Sequence, residues 1–131
     1  AEKSMAGNFD LLRLAWIADY PSPENFLWFF YSKGVPQEKG EMSYPNLARY
    51  VNPKFDELYE KGLHATSEEE ALQYFMKAEQ TAMDDAPIIV LWYDEGYRLM
   101  QSYVKNFPNN ALQYRDFSEV YLDYPKPKAE K

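Results

Sequence analysis

Asp19 is the residue around which this sequence could do chemistry. It follows Trp16 by three positions and immediately precedes Tyr20. A carboxylate framed by rings can hold a cation. A charge-assisted hydrogen bond satisfies the acid, and the rings can stack on whatever carries the charge. The same residue can equally begin a turn, because Asp before Tyr20-Pro21 bonds its own backbone. The other acids have plainer readings. Glu68, Glu69 and Glu70 open a helix, where the dipole favours negative charge. Asp84-Asp85 reads as a solvated helix end. A glycosidase pair would need a defined separation across a cleft, which spacing along a chain does not supply. His64 is the single histidine and there is no cysteine. No zinc or copper ligand set is therefore visible, and any Ser-His-Asp triad would have to use His64. There is no Gly-rich phosphate loop and no G-x-S-x-G elbow. The residues thus point away from an enzyme and call for no cofactor and no metal. A small carboxylate-dependent hydrolase is the enzymatic alternative.

The elements that must position Asp19 can be read in chain order. Residues 1–7 read as the tail of a helix stopped by Gly7 and Asn8. Residues 9–18 are dense in Leu, Trp and Ile and predict a strand buried on both faces. Pro21 and Pro23 end it. Ser22 can cap the next helix, with Pro23 at its first position and Glu24 in its first turn. Phe26, Leu27, Phe29 and Phe30 make that helix apolar nearly all round, so it is buried or covers something. Residues 32–50 form a long irregular segment. Asn52-Pro53 starts a second helix running to Leu63 or His64. Ser67 and Glu70 have capping-box spacing for a third, closed by Pro87, and Thr66 with Glu69 would serve equally. These two helices read as an antiparallel pair covering a sheet. Residues 88–93 predict a central strand, 97–104 a returning strand and 120–122 a last short one. Residues 125–131 read as a frayed polar tail.

Composition narrows the partners. The chain has 131 residues, enough for one domain with a core. A net charge of -7 excludes the basic stripe that nucleic acid demands, and argues against an anionic membrane surface. An aromatic content of 18% suits a large core or a surface that grips ligands with rings. The chain opens on Ala1 with no apolar leader, and reads as a piece of a longer protein.

Five blocks then carry a resemblance. Residues 14–27 resemble the W-x-A-D-Y-P-D-P-x-x-F-L segment of the oligopeptide- and dipeptide-binding proteins of ABC transporters, extracellular solute-binding protein family 5. Residues 50–58 resemble that family's Y-x-N-P-x-F-D-x-L helix start. Residues 74–87 resemble its helix ending in D-A-P, and 88–100 the strand pair that follows. Residues 112–123 resemble the end of the mature chain. The resemblance implies an α/β (mixed α+β) fold. The chain would be a C-terminal lobe fragment of a two-lobed periplasmic binding protein-like II fold, with a mixed sheet covered by helices. Residues 1–99 would belong to the second lobe, and 100–131 would cross the hinge and pack on the first. Partners would be a peptide or other small solute, the permease subunits and the missing N-terminal lobe, in a periplasmic or extracytoplasmic setting. In peptide-binding members the Asp of this motif receives the peptide's α-ammonium, a role that falls on Asp19. Trp16 and Tyr20 would line the pocket with it. One position departs: the second Asp of the motif is Ser22 here. The family also includes nickel, haem, glutathione and oligosaccharide binders, so a sugar or metal chelate is the alternative ligand. A plain interaction module, its aromatics packing on a partner, is the bland alternative.

Overall fold

The computed structural model describes residues 2–38 and 40–124. It divides into two compact units, residues 1–90 and 91–131, of which the second is described to residue 124. The expected frayed tail at 125–131 lies outside the described residues.

The first unit is helical because its sequence carries caps. Helix α1 (Glu2–Met5) ends where Gly7 takes a φ of 76°. There the Asn8 N–H reaches the Lys3 carbonyl and the Gly7 N–H reaches that of Ser4, closing a Schellman turn. Helix α2 (Glu24–Leu27) continues as a 3-10 turn, Trp28–Phe30. The Ser22 hydroxyl accepts from the Glu24 N–H at 3.3 Å, as a capping serine should. Helix α3 (Pro53–Leu63) starts at Asn52, whose side chain accepts from the N–H groups of Lys54 and Phe55. Helix α4 (Glu68–Asp85) starts at Ser67, which accepts from the Glu70 N–H. The Glu70 carboxylate turns back to the Thr66 N–H rather than to Ser67. The helix ends at Ala86, held in the left-handed region at φ 49°.

Helices α3 and α4 form the expected antiparallel pair. They cover not a sheet but the α2 turn. Leu27 and Phe30 join Phe55, Tyr59, Phe75, Ala78 and Ala82 in one buried cluster. Phe55 and Tyr59, one helical turn apart, stack with ring planes 12° from parallel. Phe30 meets Phe55 edge-on. The α4 face contributes Ala78 and Ala82, small enough for the two helices to approach closely.

The irregular segment before α3 is tied down by two buried polar residues. Asn46 donates to the carbonyls of Tyr31 and Tyr50 and accepts from the Tyr50 N–H. Ser43 donates to the Asn46 carbonyl at 2.6 Å. A buried loop must satisfy its backbone somehow, and these side chains do it.

The second unit holds the small sheet. Strands β1 (Val104–Lys105) and β2 (Tyr121–Leu122) pair antiparallel, with Val104 opposite Leu122. Tyr103 and Tyr124 pack beside the ladder, their ring centroids 4.7 Å apart.

The chain is thus mixed helix and small sheet, and the expectations for strands need correction. Residues 9–18 form no strand, and Leu11 is 89% exposed. Residues 88–93 are likewise no central strand: Ile89 and Tyr93 are 80% and 95% exposed. The return over 97–104 forms only at Val104, and the last strand forms at Tyr121–Leu122. Among the described residues the only sheet is two-stranded and antiparallel, not mixed. The reason is physical. A β-prone run becomes a strand only when a neighbour takes its N–H and C=O groups, and no described segment does so for these two.

Candidate functional site

Asn25, in the first turn of α2, holds the predicted site together. Its side chain is buried, with 2% exposure. Its Oδ1 accepts from the Trp16 indole N–H at 2.8 Å and from the Asp19 backbone N–H at 3.1 Å. The Trp16 ring also packs edge-on against Phe29, centroids 4.9 Å apart. Trp16 is therefore half-buried, fixed from its polar end and from its flank.

Asp19 and Tyr20 are exposed beside it. Among the described residues, no side chain donates a hydrogen bond to the Asp19 carboxylate. The Tyr20 hydroxyl donates to Glu24 Oε2, and the buried Tyr59 hydroxyl donates to the other oxygen, Oε1, at 2.8 Å. Glu24 thus has both oxygens engaged, whereas Asp19 keeps its own. The Tyr20 phenol is held above its ordinary value, first by its bond to Glu24, with Asn25 pulling the other way. Burial raises the Tyr59 phenol further, and Glu24 adds to it. Both phenols stay protonated donors at neutral pH, so Glu24 is the acceptor in each pair.

The structure therefore brings Trp16, Asp19 and Tyr20 to one place, but by a helix turn rather than by a strand. What the arrangement can do chemically is accept a cation at the exposed Asp19 carboxylate. His64 lies elsewhere, its Nδ1 2.7 Å from the Glu60 carbonyl at the end of α3. Asp85, read from sequence as a solvated helix end, is exposed there and also accepts from the Tyr50 hydroxyl and the Asn52 side chain, each at 2.6 Å. These bonds hold the Asp85 carboxyl below its usual range, the Tyr50 bond first. A shallow depression lined by Ala6, Gly7, Asn8, Gly40 and Arg49 is separate in sequence from these residues. Among the described residues no three metal-ligating side chains converge.

No family model matches the chain, and no solved structure matches it. Curated proteins do. The chain is 32% identical to the periplasmic oligopeptide-binding protein OppA of Escherichia coli (strain K12), over 77% of its own length and 17% of that protein's. It is 27% identical to di/tripeptide-binding protein 2 of Pseudomonas aeruginosa (strain UCBPP-PA14), over 93% of its length and 22% of that protein's. The chain is thus similar in sequence to part of proteins named for binding oligopeptides and di- or tripeptides. It spans about a fifth of the length of the curated relatives it matches. A further relative, the probable deoxycholate-binding periplasmic protein YgiS of Escherichia coli (strain K12), is 27% identical over 89% of this chain.

Sequence reasoning missed Asn25 and, while placing Glu24 in the first turn of α2, missed its bonds to Tyr20 and Tyr59. The four-residue spacing of Tyr20 and Glu24 was a usable signal, since it allows a side-chain pair across one helical turn. Asn25 gave none: a buried amide in a helix first turn looks like a solvated one until the fold closes over it.

Proposed function

We propose that this chain is part of the solute-binding protein of an ABC import system. It captures peptides outside the cytoplasmic membrane and delivers them to the permease, catalysing nothing. One observation carries the reading. The Asp19 carboxylate is exposed and takes no described side-chain donor, while its backbone is fixed beside Trp16 by Asn25. A peptide α-ammonium is the ligand group that such an acid accepts, and main-chain contacts elsewhere would give affinity without reading side chains. Relatives named for oligopeptides and for di- and tripeptides support the same class. In this reading residues 1–99 are part of a second lobe, and 100–131 cross a hinge towards a first lobe that completes the cleft. The setting is periplasmic or extracytoplasmic.

A second reading is a non-peptide solute held by the rings of Trp16 and Tyr20. The relative named for deoxycholate, which has no ammonium, favours it.

Calorimetric titration of the full-length protein with a di- to pentapeptide pool, beside Asp19→Ala, separates the two. Loss of an ion-paired hydrogen bond predicts about a tenfold weakening or more in the variant. Equal affinity in both proteins would favour the ring-held solute. No heat from the parent would remove the peptide claim.

A further inference from the structure

We propose that Asn25 is the positioning residue of the Trp16–Asp19–Tyr20 site, and that by occupying the indole N–H it leaves the Trp16 side chain only its ring surface to offer a ligand.

Two groups with no accepting capacity converge on one oxygen. An indole N–H and a backbone N–H can only donate, so the Asn25 amide must present Oδ1 to them, and its orientation is fixed. A carbonyl oxygen has two lone pairs, and here both are taken. Trp16 and Asp19 cannot then move independently, because the same buried atom holds both. Asn25 is itself anchored by its neighbours. Leu27 and Phe30, two and five residues on, are core residues packed with Phe55 and Tyr59. The site is thereby joined to the best-packed part of the molecule.

A consequence for recognition follows. The Trp16 side chain has one polar hydrogen, and Asn25 holds it. A ligand reaching Trp16 meets a π-face or an edge, which gives dispersion, stacking or attraction for a cation. Asp19 likewise has its backbone N–H engaged and presents only its carboxylate. The site therefore reads one positive charge through Asp19 and apolar or ring area through Trp16. It makes no donor hydrogen bond to the ligand from either side chain. A carboxylate-bearing ligand group would find no donor in either side chain.

The peptide part of this inference rests on the proposed function, whereas the positioning part rests on the hydrogen bonds alone. The test keeps them apart. In the full-length protein, hydrogen exchange of the Trp16 indole N–H is followed by 15N NMR, with Trp16→Phe identifying the resonance. Asn25→Leu removes the acceptor at similar volume. Asn25→Asp keeps an acceptor oxygen in the same place. Exchange is expected to be slow in the parent and in Asn25→Asp, and about tenfold faster or more in Asn25→Leu, the scale of one lost hydrogen bond. Titration with the peptide pool is expected to weaken about tenfold in Asn25→Leu and to recover in part in Asn25→Asp. If Asn25→Leu fails to fold, Asn25→Ser, whose hydroxyl is too short to reach the indole, takes its place under the same criteria. Unchanged indole exchange in a folded variant lacking the acceptor overturns the positioning role. Faster exchange with undiminished peptide affinity overturns its bearing on the ligand. Faster exchange in a protein whose parent binds no peptide leaves Asn25 as the positioning residue and removes the peptide reading instead.

Discussion

Glu24 joins the protein surface to its core through its two oxygens. One accepts from exposed Tyr20, the other from Tyr59, which is 1% exposed. Removing the carboxylate strands a buried hydroxyl, and that asymmetry makes a prediction. Glu24→Ala should cost about 1–3 kcal/mol by leaving the Tyr59 O–H unsatisfied. In a Tyr59→Phe background the same change should cost much less, because there is no longer a buried donor to strand. A urea-denaturation double-mutant cycle measures this. Equal costs in the two backgrounds would show that Glu24 does not serve Tyr59. At this scale the sequence was partly legible. Trp16 and Asp19, neighbours in the family motif, are also joined in the structure, through Asn25 Oδ1. The atom that joins them was invisible, because an amide's importance depends on burial, and burial is a property of the whole fold.

Among the elements, α3 and α4 depend on a close approach at Gly62. A Cβ added there would collide with the ring of Phe75, itself in the buried cluster. Gly62→Ala gains helix propensity on paper but should destabilise by about 1–3 kcal/mol through overpacking. Gly96→Ala serves as the control, since a Cβ there meets nothing within 4 Å. Comparison of the two thermal midpoints checks this. A Gly62→Ala protein as stable as its parent would mean that Phe75 has room to yield. Helix starts were readable because capping is local: Asn52-Pro53 and Ser67 with Glu70 act within one turn, so adjacent residues contain the whole cause. Strands were not readable in the same way. Residues 9–18 and 88–93 have strand composition, yet pairing requires a partner from elsewhere in the chain.

The molecule as a whole should show its tyrosines in its pH dependence. Tyr50 is pushed up to about 12 from an ordinary 10.0, first by burial and then by its bond to Asp85. In the unfolded chain this phenol loses its proton near pH 10, while the folded chain retains it. Its contribution to stability is therefore complete below pH 10 and lost as pH rises towards 12. The same bond acts with opposite sign on Asp85, whose carboxyl is held below its ordinary 3.8. That contribution is present above the ordinary value and is lost as pH falls through the depressed one. One substitution tests both limbs. Tyr50→Phe should flatten the alkaline fall in denaturation midpoint and, less strongly, the acid fall. Unchanged profiles at both ends would show that the Tyr50–Asp85 bond does not form in solution.

From the sequence alone came the helices, their caps and the antiparallel pairing of α3 with α4. Each of these depends on residues within a turn or two of one another, or on a motif contained in a single segment. Only the tertiary structure decided that α2 rather than a sheet fills the space under the helix pair. Only it decided that two apolar runs remain unpaired, that Asn25 is buried, and that Glu24 and Asp85 tie separate segments together. Those outcomes depend on which groups, far apart in sequence, come to share a buried boundary. A hydrogen bond that is negligible in water becomes decisive once both partners have lost the solvent that could replace it.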